Sequence, residues 1–205
     1  MESTELITPE VINSGMSYKE YRDLIDSLLA DGKTTGENQS QQIVEYAKLN
    51  NQRMNRIDKT VELTEEAAKV LKNIRRSQTW VVLTEGWCGD AAQNVPVIAK
   101  MAAASDKITL SLLLRDEHLD IIDAYLTNGG RSIPKLVALD DETHEELFNW
   151  GPRPVPAQEI MMDFKNNPNG RERQEVYQQI HKWYADDKST TMQKEIADLI
   201  KDSEK

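Results

Sequence analysis

One thiol is available for chemistry in this chain of 205 residues: Cys88, within the run Trp87-Cys88-Gly89-Asp90-Ala91. The apolar stretch Thr79 to Leu83 leads into it, and residues 89–104 follow with helical spacing. A thiol at the end of a buried strand and the start of a helix faces unpaired backbone N–H groups. It also faces the positive end of the helix dipole, and both favour thiolate over thiol. Asp90 works in the opposite direction, because a negative charge beside Cys88 raises the thiol pKa. The reactions open to such a group are attack on a disulfide, oxidation to sulfenic acid, or linkage to a second chain. An internal disulfide is excluded, since Ala91 stands three residues on and no second cysteine exists.

Other polar residues are read more plainly. Glu85 is taken as an exposed loop carboxylate, with assistance in proton transfer as its functional alternative. Arg153, between Pro152 and Pro154, is taken as a solvated arginine at a helix start, with approach to the thiolate or a substrate carboxylate as the alternative. His118, His144 and His181 show no ligand-like spacing to carboxylates or to Cys88. They are read as surface histidines, and no metal site is expected. Asp140-Asp141-Glu142 reads as a hairpin turn, since a calcium loop needs more ligands at regular spacing.

The elements that must position Cys88 follow from periodicity. Ser17 and Glu20 form a capping box before a helix carrying Tyr18, Tyr21, Leu24, Ile25, Leu28 and Leu29. A second helix starts near Ser40, and its far end, Asn50 to Asn55, is weak enough in helix formers to allow an extended piece. Thr64 caps a third helix. Thr79 to Thr84 and Ile108 to Leu114 are continuous apolar strands with a helix between them, and Leu119 to Leu126 is a helix closed by Asn128-Gly129-Gly130. Lys135 to Leu139 and Glu145 to Trp150 read as paired strands, and a helix runs from Pro156 to Asn166. After the Asn166-to-Gly170 loop, two amphipathic helices carry Val176 to Tyr184 and Met192 to Ile200. Strand–helix–strand units of this kind define an α/β layer architecture.

Composition narrows the function classes. With 39% hydrophobic residues, the chain can bury one core plus peripheral structure. A net charge of -10 and a pI near 4.9 argue against nucleic-acid phosphates or an anionic membrane as the main partner. Residues 1–14 lack a basic start followed by an apolar core, and no apolar run approaches a bilayer span, so a cytoplasmic protein is expected.

The middle of the chain resembles the thioredoxin fold family, specifically a bacterial branch with helical additions. Trp-Cys-Gly follows the strand, and Pro96 lies five residues beyond the position of the family's second cysteine. The segment Arg131-Ser132-Ile133-Pro134-Lys135-Leu136-Val137 is similar to the family's Gly-Ile-Pro-Thr-Leu, and Trp150-Gly151-Pro152 falls at its third active-site loop. The resemblance covers residues 62–166. It implies a thioredoxin-like three-layer α/β fold with a central mixed sheet over residues 62–168. Helical extensions would occupy residues 1–61 and 169–205.

The resemblance also implies roles. Cys88 would be the nucleophile and Pro134 the cis-proline, leaving the backbone of Ile133 free to pair with an extended substrate. Trp87, Ile133 and Trp150-Gly151-Pro152 would form an apolar rim, with Gly89 and Asp90 beside it; Trp87 and Trp150 serve equally well as packing residues. The resolving cysteine is replaced by Ala91, and the family's buried acid by Val82. The reading that follows is a monothiol oxidoreductase acting on protein or small-molecule disulfides, with no cofactor and a low-molecular-weight thiol as co-substrate. The alternatives are a redox-inactive binding module and a single-cysteine thiol sensor. Neither nucleic acid nor membrane is an expected partner, and the sequence sets no oligomeric state.

Overall fold

The computed structural model describes residues 3–205; Met1 and Glu2, the start of the segment read as lacking a leader, lie outside the described residues. In chain order the elements are α1 (Pro9–Ser14), α2 (Tyr18–Ala30), α3 (Gln41–Thr60), α4 (Glu65–Lys72), β1 (Gln78–Thr84), α5 (Gly89–Ala102) and β2 (Ile108–Leu114). There follow α6 (Leu119–Ala124), β3 (Lys135–Asp140), β4 (Glu146–Trp150), α7 (Val155–Asn166), α8 (Arg173–Asp187) and α9 (Thr190–Ser203). The short α1 and a 3-10 turn over Ser3–Leu6 were not expected from the sequence, which holds too few apolar residues there to set a period.

The sheet has the order β2-β1-β3-β4, with β1 parallel to β2 and antiparallel to β3. β3 pairs antiparallel with β4 through the expected Asp140 turn, where Asp140 Oδ1 accepts from the Glu142 and Thr143 N–H groups at 2.8 and 3.1 Å. Alternation along β1 divides the core. Trp80 and Val82 face one layer with Val95, Ile98 and Met101 of α5, whereas Val81 and Leu83 face the other with Ile121 and Ile122 of α6. Both strand faces are therefore buried, which accounts for the continuous apolar runs. This is the expected three-layer α/β arrangement with a mixed sheet.

The flanking helices are part of the same packing. Ser17 and Glu20 close their capping box on α2, and Thr64 Oγ1 accepts from the Ala67 N–H to start α4. Residues 50–55 stay helical, so no extended piece interrupts α3. Tertiary hydrogen bonds override the weak local propensity there. Asn50 is buried and donates to Gly86 O at 3.2 Å, while Asn51 and Asn55 accept from the Arg22 guanidinium at 2.8 and 2.7 Å. Met192, Ile196 and Ile200 of α9 join the main core, and α8 packs on α7 through Val176, Ile180, Ala157 and Met161.

Candidate functional site

The turn Glu85–Trp87 carries the chain from β1 to Cys88, which occupies the N-cap of α5. Cys88 N donates to Glu85 O at 3.1 Å, and its Sγ accepts the Ala91 N–H at 3.5 Å. The thiol itself donates to Ile133 O at 3.3 Å. The Ile133–Pro134 peptide is cis, as the resemblance implied, and Gly151–Pro152 is a second cis peptide that the sequence did not announce. Gly151 has φ +115°, and a Cβ there would sit 2.2 Å from Pro134 O. Only glycine lets the end of β4 lie against the cis-proline loop.

The sequence names two opposing influences on the thiol, the helix start and Asp90; burial, a third, is larger than either. Cys88 is pushed up to about 12, first by burial and next by the Asp90 carboxylate. The Ala91 and Asp90 N–H groups and the Arg153 guanidinium pull downward and lose. Asp90 is itself pushed up by burial, although Arg153 Nη2 reaches its Oδ2 at 2.6 Å and the Tyr184 hydroxyl donates to its Oδ1 at 3.1 Å. Asn94 ties the group together, donating to Tyr184 Oη at 2.9 Å and to Asp90 O at 3.0 Å. Ala91 and Val82, at the positions of the missing sulfur and acid, are buried apolar contacts in the core.

Three plain readings of polar residues need correction. Glu85 is fully buried rather than an exposed loop carboxylate, with Oε1 accepting the Asp116 N–H at 3.0 Å. Burial pushes its carboxyl upward, and the Asp116 bond fixes the turn that bears Arg115. Arg153 is not solvated; its side chain is 13% exposed and is held by Asp90 and by Gln158 Oε1 at 2.9 Å. His181 is not a surface residue either. Burial, with Arg53 and Arg153 nearby, pulls it down to about 4, and the Gln93 amide donates to its Nδ1 at 3.4 Å.

Cys88 opens onto a cavity of about 500 Å³. Trp87, Gly89, Asp90 and Ile133 line it with the cysteine; Pro134, Trp150 and Gly151 do not. Trp150 is buried and its indole N–H donates to Glu195 Oε2 at 2.8 Å, whereas Trp87 lies under the Arg115 guanidinium, 4.9 Å from its ring centre. The walls come from the flanking helices: Tyr46, Leu49 and Arg53 of α3, and Tyr177, Gln178 and His181 of α8. Arg53 Nη1 donates to Asn50 Oδ1 at 2.8 Å, linking this wall to the turn before Cys88. A Cβ on Gly89 would lie 3.1 Å from His181 Cε1 and 3.6 Å from Arg53 Nη1, so the two helices close over the start of α5.

The wall residues escaped the sequence reading, although a signal exists. Tyr46, Leu49, Asn50 and Arg53 have the spacing i, i+3, i+4, i+7, and so do Gln174, Tyr177, Gln178 and His181. Each set is a second helical stripe beside the buried one. Arg115, at the start of a 3-10 turn, and Arg131, in a loop, also line the cavity where no periodicity marks them.

A three-layer α/β fold with a cysteine capping the helix after its central strand, opposite a cis-proline, defines a thioredoxin-like protein. The thioredoxin family model matches residues 36–166, and the chain belongs to that family. The match begins well before residue 62 and so takes in α3. A 1.5 Å crystal structure of a protein of unknown function from Pseudomonas aeruginosa is similar, with a TM-score of 0.57 and 16% identity over 93% of this chain and 94% of that one. An HIV epitope scaffold is also similar, with a TM-score of 0.52 and 16% identity over 91% and 98% of the two chains. No curated protein matches the chain in sequence. Among the described residues, no helix is long and apolar enough to cross a membrane.

Proposed function

We propose that the protein carries out monothiol thiol–disulfide exchange, with Cys88 as the sole nucleophile. The carrying observation is the position of its sulfur: on the floor of a cavity, at a helix N-cap, and 3.3 Å from the carbonyl preceding the cis-proline. Cys88 first gives its proton to solvent. The thiolate attacks the small-thiol sulfur of a mixed disulfide P–S–S–R, forming Cys88–S–S–R and releasing P–S⁻, which takes up a proton. A second R–SH, as its thiolate, then attacks the R sulfur, forming R–S–S–R and returning Cys88. The net exchange is P–S–S–R plus R–SH giving P–SH plus R–S–S–R, so the two electrons come from free thiol. A reducing cytoplasm would supply that thiol, and no resolving cysteine is needed.

The thiol pushed up to about 12 implies slow exchange with unselected disulfides at neutral pH. The same observation favours a second reading, a redox-inactive binding module that uses the cavity alone. Mass spectrometry of the protein after exposure to low-molecular-weight disulfides separates the two. A reversible adduct at Cys88, forming faster as pH rises from 7 to 10, supports exchange. No adduct anywhere in that range overturns it. Insulin reduction at a thioredoxin-like rate would overturn the monothiol assignment.

A further inference from the structure

The cavity over Cys88 has a charge that the rest of the chain does not predict. The protein carries a net charge of -10, yet Arg53, Arg115, Arg131 and Arg153 all line this space, arriving from four separate segments. Among the described residues Asp90 is the lone carboxylate in the lining, and it is matched by Arg153 at 2.6 Å. Arg115 and Arg131 are paired from behind, by Asp116 and by Asp123 at 2.6 Å. Among the described residues no carboxylate touches Arg53: its Nη1 donates to the neutral Asn50 amide, and Asp90, held directly by Arg153, acts on it only through space. His181 beside it is uncharged at neutral pH. A half-buried guanidinium with a neutral partner leaves donors for a ligand anion, and its planar fork suits a carboxylate.

Shape restricts the ligand as well. A volume of about 500 Å³ falls in the usual range for small-molecule sites. Helices α3 and α8 stand over the approach to the sulfur, where a flat protein surface would otherwise dock. Tyr46, Leu49 and Tyr177, exposed large side chains on those two helices, supply apolar contact at the mouth.

We propose that the cavity binds a low-molecular-weight thiol bearing carboxylate groups, free or as its disulfide, with Arg53 as the principal anion contact. This deepens the exchange reading by naming R, and its thiol step rests on that reading. In the exchange, R carries the negative charge, and the protein half of a mixed disulfide remains outside the cavity.

The test measures second-order rates of mixed-disulfide formation at Cys88 with oxidised glutathione, hydroxyethyl disulfide and cystamine, which are anionic, neutral and cationic. Each rate is divided by that for the same protein unfolded in urea. The anionic probe is expected to lead the cationic one by at least tenfold, the reverse of what the net charge of -10 dictates. Raising the salt should shrink that lead. Arg53→Gln is expected to cut the rate with oxidised glutathione at least fivefold and to change that with hydroxyethyl disulfide less than twofold. The more exposed Arg131→Gln provides a second variant should Arg53→Gln fold poorly. Equal normalised rates for the three probes, or losses with the variants that are the same for anionic and neutral disulfides, overturn the proposal. Calorimetry of S-methylglutathione with Cys88→Ser tests the cavity without the thiol. Binding there alongside no adduct in wild type keeps the anion site and removes the exchange reading; adducts without charge preference do the reverse.

Discussion

The floor and the walls of the cavity are built differently. The floor is a backbone construction: an N-cap, a cis peptide, and a glycine whose missing Cβ lets two loops touch. The walls are side-chain constructions, two helical stripes with the same spacing that meet above Gly89. Floors of this kind tolerate little change, because a displaced carbonyl has no rotamer in which to retreat. Walls can be trimmed one side chain at a time with little effect on whether the chain folds.

The contrast should appear most sharply at Gly151. Gly151→Ala places a Cβ 2.2 Å from Pro134 O in a backbone conformation that side chains avoid. We expect a loss of roughly 3 kcal/mol or more in urea denaturation. A loss below ~1 kcal/mol would show that the floor can yield. Next comes Asp90→Asn, which removes the charge that stands second among the causes of the raised Cys88 pKa. Alkylation by iodoacetamide at pH 7 should therefore accelerate, by about tenfold for each pKa unit regained. An unchanged rate would mean that burial alone holds the proton on the sulfur.

His181 belongs to the wall but titrates, so it offers a milder test. Its folded pKa of about 4 lies below the ordinary 6.5. Its contribution to stability is therefore complete above pH 6.5 and is lost as pH falls toward 4, where only the unfolded chain binds the proton. Denaturation curves of wild type and His181→Gln between pH 4 and 7 should diverge by up to one proton, wild type being the more acid-sensitive. Parallel curves would place the imidazole in water. The smallest effect is expected at Leu49 and Tyr177, 42% and 40% exposed. Alanine at either position should shift stability by less than ~0.5 kcal/mol.

The same division explains what could be read from the chain. The floor was legible through the family resemblance, carried by Trp87-Cys88-Gly89 after an apolar strand, Pro134 after Ile133, and Gly151 before Pro152. Each residue type there answers a local backbone demand. The strands were equally clear, since burial on both faces leaves unbroken apolar runs such as Ile108 to Leu114. The walls were opaque because Arg53 and His181 gain their meaning from a meeting across more than a hundred residues. Glu85 misled for a related reason: a carboxylate after a strand is ordinarily solvated, and its partner is the N–H of Asp116 from another loop. Arg153 was misread in the same way, its partner Asp90 lying on a different element.

The Ile133 carbonyl has a role beyond shaping the loop. It receives the Cys88 thiol hydrogen at 3.3 Å, and so it acts as a latch that only the protonated sulfur can close. Ionisation opens the latch and leaves a lone pair facing a thiolate, a repulsion added to the loss of the bond. A ligand N–H brought to residue 133 inside the cavity would compete for the same oxygen. On the proposed exchange reading, ionising the sulfur would arm it and free that oxygen in the same event.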